Sequence, residues 1–281
     1  MLAYIPEIYP DELVSSWIAR WMCHNGMTTH SQILRLIACK QSRVSTEFAV
    51  QFNNDVTNTV KQRYGDLSTF LWNHTMLPYY LCFAGPYLRS KAVERLMETG
   101  AVDIADYLMI DRVTVRHLRY CPECASDDRS TYGEAYYHRT HQLWDVSVCV
   151  KHGCLLRETR VSISGTNPLI ADMEIPYNDS LEKLGTKMQL GYSRYVEGSL
   201  TSVCANDDYI QQLRRISSRY TLWASNIVDY DRIASALREY YTDSLADIPT
   251  AWQIESVIQG YRCDSRIILM LLYMGRNCVE P

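Results

Sequence analysis

Apolar residues at helical spacing towards both ends of the chain, and two cysteine-bearing knuckles near its middle, predict a mainly α fold around a small β metal ribbon. The 281 residues are 47% apolar, ample for a large core. Length alone suits about two domains of roughly 150 residues. The motifs and turn signals divide the chain three ways: an N-terminal helical, helix-turn-helix-like domain (1–110), a central metal module (111–165) and a C-terminal helical domain (166–281).

Pro6 and Pro10 bracket an extended lead-in, and Asp11 is placed to cap a helix beginning at Glu12. Leu13, Trp17, Ile18 and Trp21 recur at helical steps until Gly26 stops the run. Thr29 or Ser31 caps a second helix carrying Ile33, Leu34, Leu36 and Ile37. Helix, short glycine-bearing link and helix is the pattern of a helix-turn-helix, and equally of a helical hairpin in any α core. Arg43 to Arg63 is polar and β-branched and reads as irregular structure or short helices. Leu67 to Trp72 is helical, and the aromatic run His74 to Phe83 is broken by Pro78 and ends at Gly85-Pro86. Ser90 caps a helix through Val93, Leu96 and Met97 that Gly100 ends, and Ala101 to Ile110 reads as helical again.

Val113 to Tyr120 partly alternates, as a strand does, and leads into Cys121-Pro-Glu-Cys124. Twenty-four residues separate that pair from Cys149-Val-Lys-His152. A C-x-x-C turn presents two thiolates to one ion at about 2.3 Å, and C-x-x-H presents a thiolate and an imidazole. Together Cys121, Cys124, Cys149 and His152 close a tetrahedron, favouring one structural Zn2+ with no open position. Cys154 is the alternative to His152. Ala135 to Tyr137 and Val146 to Val148 are candidate strands of the ribbon. Glu134 and His141 read as supports of the ribbon rather than acid–base groups, and His138 as a surface residue.

Gly165-Thr-Asn-Pro168 marks a boundary, followed by polar sequence to about Cys204. Asp207 or Asp208 starts a helix through Ile210, Leu213, Ile216 and Tyr220, with Arg214, Arg215 and Arg219 on its outer side. Three more helices start near Asp229 or Asp231, at Pro249-Thr250 and at Asp264; Gly260 and Gly275 stop the last two. The C-terminal part is expected to be a small helical bundle.

Lys and Arg total 28 against 32 Asp and Glu, a formal charge of -4. Bulk charge thus argues against non-specific nucleic-acid binding, and any such contact must come from a local patch. The candidates are Arg116, Arg119 and Arg139 around the metal module, and Arg214, Arg215 and Arg219. No apolar run reaches the roughly 18 residues that span a bilayer. The N-terminus lacks signal-peptide features, and the scattered remaining cysteines suit a reduced cytoplasm. A P-loop, an H-E-x-x-H helix and the second half of a zinc-deaminase signature are all missing, so no enzyme class is indicated.

Several of these residues together form a pattern: Glu12-Leu-x-x-Ser16-Trp17-x-x-Arg20, then His74-Thr-x-x-Pro78 with Gly85, then Arg119-Tyr-Cys-Pro-x-Cys124. Tyr132-Gly-Glu-Ala-Tyr136-x-x-Arg139-x-His141-Gln-Leu143 and Cys149-x-x-His152-Gly complete it. Over roughly residues 5–160 this resembles the TniQ/TnsD family, target-selection proteins of Tn-seven-like bacterial transposons. Val150 stands where the family has proline in its second knuckle. The resemblance implies a non-catalytic adaptor that links target DNA, or a CRISPR RNA-guided Cascade-type effector, to the AAA+ ATPase TnsC. It implies a bacterial cytoplasmic protein, associated with the nucleoid when active. The near-neutral charge favours docking on a protein–RNA complex, where base pairing supplies specificity. A site-specific DNA-binding protein using helix-turn-helix and zinc ribbon is the alternative.

Overall fold

The computed structural model describes residues 4–39, 44–100, 117–163, 170–177, 183–201, 208–222, 226–245 and 247–277. Among these the chain is mainly helical, with thirteen α-helices and four short strands. The helix expected over 101–110, Arg116 and the boundary at 165–168 lie outside the described residues.

Helix α1 (Val14–His24) buries Trp17, Ile18 and Trp21, as their spacing predicts, but Asp11 does not cap it. Asp11 instead takes a left-handed turn at φ 57, which Asp tolerates, and its Oδ2 accepts from Thr140 N at 3.0 Å. Helix α2 (His30–Ile37) packs on α1, and Gln32 Oε1 closes its start by accepting from Thr29 N at 3.0 Å. The polar stretch read as irregular structure or short helices holds one three-turn helix, α3 (Asn54–Tyr64). Its cause is local: Asn53 Oδ1 accepts from Val56 N at 3.0 Å, and Val56 and Val60 lie one turn apart on the buried face. Helices α4 (Leu67–His74) and α5 (Leu77–Leu81) follow. Helix α6 (Pro86–Thr99) begins four residues before Ser90, because proline at the first helical position pre-sets φ. It ends at Gly100, whose φ of +73 and backbone contact with Val50 leave no room for a Cβ.

Strand β1 (His117–Tyr120) pairs antiparallel with β2 (Arg157–Ser162) and so brackets the metal region. The two other expected ribbon strands are absent among the described residues; His138 and Val148 make only isolated bridges, to Glu12 and Leu155. Helix α7 (Pro122–Tyr132) stands between the knuckles instead. Beyond β2 come α8 (Ala171–Glu174), α9 (Lys187–Gly198), α10 (Asp208–Ser218), a hairpin of β3 (Thr221–Leu222) and β4 (Ile227–Val228), α11 (Tyr230–Tyr241), α12 (Ala251–Ile258) and α13 (Ser265–Asn277).

Gly275, expected to stop the last helix, does not, and a second glycine also lies within a helix. Gly191 lies inside α9 beneath the Tyr273 hydroxyl, and Gly275 inside α13 against Ile216 of α10. Each lets two helices approach where a side chain would collide. One apolar core runs from Ile5 to Met274, with Ile267 to Leu272 of α13 fully inside it. The C-terminal helices are tied to the rest by Ser265 Oγ donating to Tyr80 O at 3.0 Å and by Arg266 Nε on Asp145 Oδ2 at 2.7 Å. None of the described helices is long and apolar enough to cross a membrane.

Candidate metal centre and the clasp around it

The first knuckle is the start of a helix. Cys121 is the N-cap of α7, its Sγ accepting from Cys124 N at 3.3 Å, with Pro122 at the first helical position and Gly133 ending the helix at φ +85. The second knuckle is a tight turn: Gly153 N donates to Cys149 O at 2.7 Å, Cys149 N donates to Cys154 O at 2.9 Å, and Gly153 sits at φ +72. The pairing of β1 with β2 holds the two knuckles face to face.

Donor atoms of Cys121, Cys124, Cys149 and His152 all lie within 4.8 Å of one another. His152 Nδ1 is 3.3 Å from the sulfurs of Cys121 and Cys124 and 3.8 Å from that of Cys149, and Cys124 and Cys149 are 3.7 Å apart. The other ring nitrogen, Nε2, is 3.3 Å from Asp127 Oδ2 on α7, which orients the ring towards the thiols. All three cysteines are buried.

The three thiols strongly perturb one another. Hydrogen bonding with Cys124, then with Cys149, then burial push the Cys121 thiol far up. Contacts with Cys121 and Cys124 push Cys149 far down. Cys124 also rises, the Cys121 contact that lowers it being outweighed by Cys149 and burial. Three touching buried thiols can all ionise only beside a balancing cation. This donor set therefore fits one soft divalent ion such as zinc, which would crosslink the two knuckles.

Around the cluster, Glu12, Arg20 and Glu134 of the sequence pattern meet in a largely buried clasp. Arg20 Nε and Nη2 reach Glu12 Oε1 and Oε2 at 2.8 and 2.9 Å, Nη1 reaches Glu134 Oε1 at 2.8 Å, and Nη2 also donates to Glu7 O at 2.6 Å. The Tyr9 ring lies 3.6 Å from the guanidinium, and His24 flanks Glu134 at 2.9 Å. Arg20 and Glu12 are 1% and 0% exposed, so neither charge has water as an alternative partner. Although burial alone would lower it, the Arg20 pKa is held above its usual value by Glu12 and Glu134. Burial, chiefly, pushes Tyr9 up to about 12. Backbone contacts run parallel: Leu13 N donates to Tyr137 O, and Tyr137 N to Ser16 Oγ, both at 3.1 Å. Helix α1 is thus bolted to the segment leaving α7.

The arginines singled out for nucleic-acid or partner contact divide by position. Arg119 donates through Nη1 and Nη2 to Val146 O and Leu143 O at 2.6 Å, and the Gln142 amide clamps its backbone. Arg139 is 12% exposed and engages Asp11 Oδ1 at 3.2 Å and Trp72 O at 3.1 Å. Both guanidiniums are committed to holding the module together. Arg214, Arg215 and Arg219, in contrast, stand on the exposed side of α10 and just beyond it. His138 Nε2 pairs with Asp128 Oδ2 at 2.9 Å, and buried His141 packs against it with ring centroids 4.8 Å apart. The clasp could not be read from composition or spacing. Its signal is that Glu12, Arg20 and Glu134 all fall within the family-like pattern, which does not say that they pair.

The family model described as TniQ matches residues 3–156, more than half of the chain. The chain belongs to the TniQ family. The match contains the clasp and both knuckles, and stops before α8. A protein of Escherichia coli, "Transposon Tn7 transposition protein TnsD", is 31% identical over 157 residues, which is 54% of this chain and 30% of that protein. The chain thus spans less than a third of the curated relative it matches.

Proposed function

We propose that this chain is a non-catalytic target-selection adaptor for transposition, linking a target-recognition complex or target DNA to the AAA+ regulator TnsC. The single observation carrying this reading is the TniQ match over residues 3–156, which contains the clasp of Glu12, Arg20 and Glu134 and the cluster of Cys121, Cys124, Cys149 and His152. The likeness to a transposition protein supports it. Under this reading Cys121, Cys124, Cys149 and His152 hold one zinc ion as a structural crosslink, and the protein works in the bacterial cytoplasm, at the nucleoid when active. The division at 110 and 165 is part of the same proposal.

A CRISPR RNA-guided Cascade-type effector is the favoured upstream partner, since the formal charge of -4 gives little general attraction to duplex. Direct DNA reading has its own support. Helix α2 exposes Ser31, Gln32 and Arg35 after the turn at Gly26, in the manner of a recognition helix, and α10 exposes Arg214 and Arg215.

The test is capture of the purified protein by TnsC with ATP and, separately, by the guide-RNA effector, beside a labelled-duplex assay. Effector capture without duplex preference is the expected result. Tight binding to one duplex alone would make the protein a direct site reader, and binding to neither partner would refute the adaptor reading. Arg214→Glu with Arg215→Glu should leave melting unchanged while weakening whichever contact is found; full retention of binding would show that face to be inert.

A further inference from the structure

Five soft donors converge where a tetrahedral ion uses four. Besides the ligand set, Cys154 is 2% exposed and belongs to the same buried sulfur cluster as Cys121, Cys124 and Cys149. Its Sγ is 3.2 Å from Cys121 Sγ. Two sulfurs bound to one tetrahedral zinc at 2.3 Å would stand about 3.8 Å apart. Cys124 and Cys149 match that separation at 3.7 Å, and His152 Nδ1 touches all three thiols, whereas the Cys154 contact is too short for a shared ion. It has the form of a hydrogen bond.

We propose that Cys154 lies outside the ligand set and donates its S–H to the Cys121 sulfur, slowing the loss of the metal. The inference rests on reading the cluster as a metal site. Three thiolates around a divalent ion leave one net negative charge in a largely buried site. Donors to the sulfurs offset that charge. Cys121 already accepts from Cys124 N at 3.3 Å, and Cys154 supplies a second donor from the opposite knuckle. The position of Cys154 is held independently of the metal. Its carbonyl accepts from Cys149 N at 2.9 Å, and the strand-like segment Lys183 to Gly185 runs alongside, with Leu155 N donating to Lys183 O at 2.7 Å and Gly185 N to Gly153 O at 2.9 Å. Gly185 allows this approach, since a Cβ there would strike the Val148 side chain. The thiol is therefore presented to Cys121 by backbone pairing on both sides.

The experiment uses the full chain with zinc and, for spectroscopy, Co2+. The parent should hold one metal per chain, and Cys154→Ala and Cys154→Val should keep its cobalt spectrum, including the thiolate-to-metal charge-transfer intensity. Zinc release to a chromogenic chelator should quicken about ten-fold in both, the lower end of what loss of an outer hydrogen bond to a ligand costs in affinity. Cys154→Ser, which keeps a donor, should restore most of the parent rate; a merely space-filling role would not separate Ser from Ala in this way. Loss of one thiolate's share of charge transfer in the apolar variants would make Cys154 a ligand and overturn the proposal, as would unchanged release rates. A parent that binds no metal would sink the metal reading itself.

Discussion

Residues 5–160 and the helices after residue 183 are stabilised in different ways. Among the described residues, tyrosines aside, the buried polar side chains of the first region include Glu12, Arg20, Asp128, His141 and Gln142; in the second they are serines. The first region closes through charge pairs and a sulfur cluster that join segments far apart in the chain. The second closes through apolar helix faces, as in Leu213, Ile233, Leu237 and Ile254, and its helices start with local caps. Buried charge pairs contribute modest net stability but tolerate few alternative arrangements, because an unpaired buried charge costs several kcal/mol. The family match covers the first region and stops before the second. The difference teaches that the shared pattern records a set of mutually dependent partners, while helical packing can be met by many sequences.

Metal removal should separate the two regions most strongly. Stripping the ion with a chelator, or Cys121→Ser, should lower melting sharply, given the roughly 10–16 kcal/mol that zinc contributes in finger peptides. Hydrogen exchange should then report greater loss of protection in α1 and α7 than in α11 to α13. Uniform loss throughout would break the distinction. Arg20→Ala comes next, at about 3–5 kcal/mol in chemical unfolding, because Glu12 is left buried and unpaired. Adding Glu12→Gln should recover part of that cost, and simple additivity of the two changes would show that they do not act as a pair.

In the second region, Tyr241→Phe removes one hydroxyl that donates to Met270 O at 2.8 Å and should cost about 1 kcal/mol. A cost equal to that of Arg20→Ala would erase the contrast. The smallest effect concerns His74, whose Nδ1–H donates to Glu12 O at 2.8 Å. Burial lowers its pKa below the ordinary 6.5. Its stabilising contribution is therefore present above about pH 6.5 and declines as pH falls towards the folded value. His74→Asn keeps a donor but cannot titrate, so its stability should fall less steeply than the parent's from pH 7 to 5.5. Parallel slopes would assign the acid sensitivity elsewhere.

Much of this was legible in the residues themselves. The pairing of Cys121-x-x-Cys124 with Cys149-x-x-His152 needs only spacing, and the caps at Thr29, Asp229 and Thr250 act within three residues of themselves. Such signals are local and can be read along the chain. Long-range packing sets the rest: Asp11 serves Thr140 rather than α1, Arg119 and Arg139 reach carbonyls and a carboxylate within the chain, and Gly191 and Gly275 admit neighbouring helices. Arg20 and Glu134 lie 114 residues apart, and no local pattern specifies which distant carboxylate an arginine will meet. Spacing along a chain sets what a segment can form; which charges become partners depends on where folding places their backbones.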